Sequence, residues 1–223
     1  MAVAFDTSTE SHTGTTGSAS EASFSWSHTG GGSAQSAVVF VFSISSTDNG
    51  SSVTYGGTSM SAVSGGSASD TVTEPGTCKA YFLDACGTGT KTVVVSRTNN
   101  ATVMYAVAMT FTAGGPTEPT GVVLLQENGT YTEQAVDDGS RGQNSVRVAG
   151  AYYGGASPPA AGSSSTTEQS IDLTSFGCAA VRENTAGQGS RNIGFSDGSD
   201  DRAAVHFAVR EKAYTKTGSG ILI

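Results

Sequence analysis

The chain is poor in charge and cysteine and has no long apolar run, and each shortage removes a class of protein. Charged residues make up only 13% of the 223, and the 11 Lys and Arg are scattered singly against 19 Asp and Glu, for a net charge of −8. A chain without a basic face has nothing to neutralise phosphates with, so direct nucleic-acid binding is not expected. No apolar run approaches the roughly 18–20 residues a membrane-crossing helix needs. The three cysteines, Cys78, Cys86 and Cys178, are odd in number and lack C-x-x-C spacing, which argues against a zinc ribbon or a disulfide framework. If CKAYFLDAC is one extended strand, Cys78 and Cys86 stand about 26 Å apart at ~3.3 Å per residue, far beyond disulfide reach. Three reduced thiols are expected.

Other absences concern chemistry and targeting. No G-x-S-x-G elbow is present, and the three histidines, His12, His28 and His206, form no recognisable set with a nucleophile. His206 lies in an apolar strand, where a hydrogen-bonded core role is expected. The reading is therefore a non-enzymatic protein without cofactors. The opening MAVAFDTSTESHTG lacks the basic stretch, apolar stretch and small-residue cleavage site of a secretory signal.

What the chain has is Ser, Thr and Gly, about two-fifths of all residues, between short apolar runs. Helical periodicity is nearly absent. Segments of four to nine residues rich in Val, Tyr, Phe and Thr alternate with Gly, Asn, Asp and Ser clusters, the pattern of an antiparallel all-β domain. In SFSWS, Phe24 and Trp26 share one face of a half-buried strand. Val38–Phe42 and Val103–Met109 are nearly continuous apolar runs and are expected as central strands covered on both faces. The clearest hairpin is SSVTYGGTSMSAV, turning at Gly56-Gly57; Asn49-Gly50, Asn128-Gly129, Asp138-Gly139 and Asp197-Gly198 are further turn candidates. The expected architecture is a single β-sandwich over residues 1–223, with a long Pro- and Ser-rich loop at 157–167, SPPAAGSSSTT.

Few residues suggest sites. Asp197, Asp200 and Asp201 in DGSDD are weak candidates for a Ca²⁺ site, but an EF-hand loop opening at Asp197 would need Glu at its twelfth position, where Ala208 stands; a solvated turn is expected. Sequons at Asn49, Asn100 and Asn128 match chance in so Ser- and Thr-rich a chain. Tyr131, Tyr152 and Tyr153 serve either as a sugar platform or as core. The apolar ends are more suggestive: Ala2, Val3, Ala4 and Phe5 at one end, and Ile221, Leu222 and Ile223 after a Gly-Ser hinge at the other, are expected to contact neighbouring subunits.

From Ser52 to Pro116 the order VTYGGTSMSAV (53–63), YFLDACGTGTKTVVVS (81–96) and AVAMTFTAGGPTEPTG (106–121) resembles a module of bacteriophage structural proteins and bacterial extracellular proteins. SFSWSHTGGGSAQSAVVFVFSIS (23–45) and AAVHFAVRE (203–211) match its opening and closing strands. The resemblance implies a jelly-roll-like sandwich on a particle or cell surface and no catalytic residues. A surface-type composition without a secretory signal fits a virion component, assembled in the host cytoplasm and exposed only afterwards. The expectation is a phage capsid decoration or cement protein at the virion surface, its partners being copies of itself and other virion proteins such as the major capsid protein. A tail-fibre or adhesin module binding a host-surface glycan, or an extracellular filament subunit, is the alternative.

Overall fold

The structure is a computed structural model that describes residues 2–12, 22–45, 51–71, 75–97, 103–126, 129–139, 144–155, 157–172, 176–200 and 202–213. Every regular element among them is a β-strand, and every pairing is antiparallel. The all-β, sandwich-like architecture expected from strand-length apolar runs is therefore present.

The first half of the chain supplies β1 (Ala4–His12), β2 (Ser23–Gly30), β3 (Ala34–Ser43), β4 (Ser52–Tyr55), β5 (Thr58–Ser59), β6 (Ser61–Asp70), β7 (Gly76–Asp84), β8 (Gly89–Ser96) and β9 (Met104–Thr112). They form an inner sheet of order β1-β9-β3-β7-β6 and an outer sheet of order β2-β8-β4-β5. The second half supplies β10 (Thr117–Gln126), β11 (Gly129–Tyr131), β12 (Gln134–Asp137), β13 (Val146–Tyr153), β14 (Ser165–Asp172), β15 (Gly177–Glu183), β16 (Ser190–Ile193), β17 (Asp197–Asp200) and β18 (Arg202–Glu211). These form an inner sheet of order β10-β18-β13-β15-β14 and two outer ribbons, β11-β17 and β12-β16.

Four β layers result, and side-chain alternation separates three cores between them. On β3, Val38, Phe40 and Phe42 point into the core between the two inner sheets, while Ala37, Val39 and Val41 point to the outer sheet of their own half. On β9, Tyr105, Val107, Met109 and Phe111 take the first direction, Met104, Ala106 and Ala108 the second. The second half repeats the division, with Ala203, Val205, Phe207 and Val209 of β18 facing the other inner sheet and Ala204 and Ala208 facing the ribbons. A strand covered on both faces needs apolar residues at every position, which is why Val38–Phe42 and Met104–Met109 read as unbroken runs.

The two halves are copies of one plan. Replacing β1, β9, β3, β7 and β6 by β10, β18, β13, β15 and β14 converts one inner sheet into the other. Each first strand carries a register shift early in its pairing with the last strand of its half, between Phe5 and Thr7 and between Thr120 and Val123. The residues follow suit. At a constant offset of 100, Cys78, Ala80, Gly87, Gly89, Lys91, Val93, Val95 and Ser96 correspond to Cys178, Ala180, Gly187, Gly189, Arg191, Ile193, Phe195 and Ser196. Phe40 is flanked by Ala80 and Val107, and its counterpart Gly150 by Ala180 and Val205.

The halves meet through their inner sheets. β6 lies against β10 and β18, β7 against β18 and β13, β3 against β13, and β1 against β14. First strand opposes edge strand on both sides, and the middle strands β3 and β13 oppose each other, which is the arrangement of a two-fold dimer built within one chain. On such an axis a residue faces its own counterpart. Here Phe40 faces Gly150, where a Cβ would stand 2.5 Å from the Phe40 ring. Phe40 also packs against Phe207 at 5.8 Å between centroids. Polar contacts close the seam: Arg202 N donates to Asp70 Oδ2 at 2.6 Å, Val3 N to Asn144 O at 3.2 Å, and Gln169 Nε2 to Ser8 Oγ at 3.0 Å.

Several local expectations change. The Gly56-Gly57 hairpin is present, with φ of 58° and 82°, the positive values a tight two-residue turn requires. Asp197-Gly198 is not a turn, because its backbone forms β17 against β11. Asp138-Gly139 leads out of β12, with Asp138 buried. Asn49-Gly50 and Asn128 lie outside the described residues. The expected loop at 157–167 is shorter, since β14 already begins at Ser165 and Ala161 bridges to Phe195.

The Phe40–Gly150 pair gives a direct test of the two-fold reading. Phe40→Gly is expected to cost about 3–5 kcal/mol through the cavity it leaves, and Gly150→Phe to destabilise by overpacking. The double variant, which swaps ring and glycine across the axis, is expected to be clearly more stable than the sum of the singles in urea unfolding. Simple additivity would contradict it.

Candidate functional site

The residues expected to contact neighbours divide. Val3 is fully buried in the core between the inner sheets and Phe5 packs against that core, with the Arg182 guanidinium 4.8 Å above its ring. Ala2 and Ala4 are exposed. Ile221, Leu222 and Ile223 lie outside the described residues. Of the acidic trio, Asp197 and Asp200 sit at the two ends of β17, and Asp201 lies outside the described residues. Among the described residues no three His, Cys, Asp or Glu side chains cluster as metal ligands would. Tyr152 is core, stacked on Phe176 at 5.7 Å. The three cysteines are free and buried. Burial raises the Cys86 thiol to about 11 and lifts Cys78 and Cys178 well above the ordinary thiol value, so all three stay protonated.

The titratable groups brought together in the first half form a directional chain. Trp26 Nε1 donates to Thr9 Oγ1 at 2.9 Å, and Thr9 Oγ1 lies 2.8 Å from His28 Nδ1. At the other ring nitrogen, His28 Nε2 lies 3.2 Å from Thr110 Oγ1, which donates to Asp6 Oδ2 at 2.9 Å. Asp6 also accepts Gly31 N at 2.7 Å. Because the Thr110 proton goes to Asp6, Thr110 accepts from Nε2–H. Nδ1 is then the acceptor for the Thr9 hydroxyl. One neutral tautomer satisfies every link, and His28 is fully buried. The network ties β1, β2 and β9 together at the open end of the first sandwich.

The second half places an arginine where the first has Ala37. Arg147 is fully buried. Its Nε donates to Val136 O at 3.0 Å, and Nη1 to both Glu183 oxygens and to Gly187 O, each at 3.2 Å. Nη2 donates to Gly189 O and lies 3.6 Å from Asp138 Oδ2. Asp138 in turn accepts Ser145 Oγ at 2.8 Å and Gly189 N at 2.9 Å. Such a cluster is tolerable in a protein interior because each nitrogen of the guanidinium has a hydrogen-bond acceptor and two carboxylates lie beside it. It pins the β15–β16 loop to β12.

Above this cluster opens a polar cleft of about 280 Å³. Ser163 and Ser164 come from the turn before β14, Glu183 from the end of β15, Asn184 and Thr185 from the following loop, and Arg191 and Asn192 from β16. The other half shows why it is open. There the β4–β5 hairpin continues along β8, and Gly56 lies against the Lys91 side chain, the counterpart of Arg191. In the second half the strand beside β16 is reduced to 160–162, held by Gly162 N to Gly194 O at 3.0 Å and Ser196 N to Ala160 O at 3.0 Å. It then turns directly into β14, and among the described residues no hairpin covers Arg191. Burial pushes the Glu183 carboxyl up, against the Arg147 backbone N–H and guanidinium that hold it down.

Sequence reasoning expected a core role for His206 but gave none to His28, and it missed Arg147, Glu183 and the cleft. A partial signal was available in GTGTKTVVVS (87–96) and GQGSRNIGFS (187–196), whose alignment places Lys91 with Arg191. No protein-family model, curated protein or solved structure matches the chain.

The two buried histidines set an acid limit. Burial lowers His28 from 6.5 to about 4, with nearby Asp6 opposing, and lowers His206 to about 4, with the Val123 carbonyl opposing. Between these values and 6.5 the unfolded chain takes up protons that the folded chain refuses, so stability falls as pH drops through that window. The expected loss from pH 8 to pH 5 is on the order of 2 kcal/mol per histidine. The paired substitution His28→Gln with His206→Gln is expected to flatten that slope in denaturant titrations, even if it lowers stability at pH 8. An unchanged slope would show that other groups set it.

Proposed function

We propose that this chain is a non-enzymatic structural protein of a bacteriophage particle, decorating or cementing the capsid at the virion surface. The observation that carries the reading is the connectivity of the first half. Its order β1-β9-β3-β7 over β2-β8-β4-β5 supports a reading as two interlocked Greek keys, the jelly-roll plan that recurs in viral capsid proteins. The second half repeats the inner sheet of that plan and reduces its outer one.

The physical design suits a building block. The two inner sheets are covered on both faces, and the described buried charges of Arg147, Glu183 and Asp138 act on backbone groups of the same chain. What remains at the surface is rich in hydroxyls and low in charge, with edge strands that can pair with a neighbour. Repetition by symmetry turns such weak contacts into a stable shell. Copies of this chain and the major capsid protein are the partners of this reading, with Ala2, Ala4 and Ile221–Ile223 as contact segments.

Immunogold electron microscopy and peptide mass spectrometry of particles purified from the source culture provide the test. The expected result is label on the outside of intact particles and a copy number in fixed ratio to the capsid protein. Particles free of the chain, with the protein retained in the cell fraction, would overturn the reading.

A further inference from the structure

We propose that the polar cleft of the second half is a binding site for a neutral saccharide, taking a single sugar ring through its hydroxyls. The proposal does not depend on where the protein works. It rests on what the lining can donate and accept.

A sugar hydroxyl is both donor and acceptor, so a site for it needs fixed groups of both kinds close together. Glu183 is the acceptor. Its side chain is 3% exposed, and Oε1 is engaged by Arg147 N at 2.8 Å and Arg147 Nη1 at 3.2 Å. Among the described residues Oε2 receives the shared Arg147 Nη1 at 3.2 Å alone, and Arg191 Nε at 3.9 Å is beyond hydrogen-bond distance. A carboxylate oxygen can accept about two hydrogen bonds, so Oε2 retains room for a ligand hydroxyl. Arg147 locks the carboxylate from beneath, and little ordering remains to be done on binding.

Arg191 supplies the donor, on a side chain 38% exposed at the cleft mouth. Asn192 adds an amide that both donates and accepts, and Ser164 and Thr185 add hydroxyls. One carboxylate and one guanidinium leave the lining without net charge. An anionic ligand would meet Glu183 and a metal ion would meet Arg191 with Arg147 behind it, whereas a neutral polyol meets neither obstacle. The volume, about 280 Å³, falls just below the roughly 300–1,000 Å³ of drug-sized ligand sites. That suits one ring better than a chain of them.

The repeat provides an internal control. Lys91 occupies the position of Arg191, but there the β4–β5 hairpin fills the space, and Leu83 replaces Glu183. Loss of the hairpin and gain of the buried carboxylate therefore occur together, in the half that has the cleft.

The test uses the full chain and a panel of free glucose, galactose, mannose, rhamnose and N-acetylglucosamine at millimolar concentration, read by saturation-transfer NMR and calorimetry. At least one sugar is expected to bind. Arg191→Met and Asn192→Ala are each expected to weaken it about tenfold, with the thermal midpoint unchanged, and Lys91→Met to leave binding intact. No saturation transfer from any sugar of the panel would overturn the proposal. So would binding undiminished in both cleft variants, which would place the ligand elsewhere.

Discussion

The structure depends on the packing of two inner sheets against each other, with the Phe40 ring seated on Gly150 where β3 crosses β13. Each half covers its inner sheet on one side with its own outer strands. The other side is apolar across its middle strands and is covered by the other half. Val38, Phe40, Phe42, Val107 and Met109 on one side and Val148, Val205, Phe207 and Val209 on the other would be left in water if the halves separated. At ~1.5–3 kcal/mol for each large apolar side chain buried, that exposure exceeds the whole stability of a typical domain. Neither half is expected to stand alone in this form.

The pseudo-two-fold arrangement also explains the asymmetry between the halves. A true dimer must place equal residues on its axis, and two phenylalanines at the position of Phe40 would collide. A fused chain is free to differ there, and it sets a ring against a glycine. The same freedom extends outward. The first half keeps a full outer sheet and a hydrogen-bond network around the buried, neutral His28 ring. The second reduces that sheet to two ribbons, replaces an apolar contact with Arg147 and its carboxylates, and leaves a cleft where the hairpin is missing.

Fold class was legible in the sequence because strand-length apolar runs and glycine turns are local signals, and Val38–Phe42 announced its two-sided burial through continuity alone. β6 was seen only at its start, because SGGSASD has the composition of a loop and is a strand only through pairing with β7 across a bulge. β17 was read as an acidic turn for a similar reason, since its strand character comes from β11. The duplication escaped notice because it is carried by single residues a hundred positions apart. The cleft escaped with it, being defined by what one copy lacks. Asp197, Asp200 and Asp201 drew attention through charge density, which measures exposure better than function.

Native-state hydrogen exchange of the backbone amides of β3, β9, β13 and β18 tests the shared core most directly. If the two halves hold one core in common, the slowest amides of all four strands exchange with a single free energy, equal to that of global unfolding, and respond alike to urea. If β13 and β18 open at a markedly lower free energy than β3 and β9, or the reverse, the halves are independent sandwiches in contact and the account of the interface is wrong.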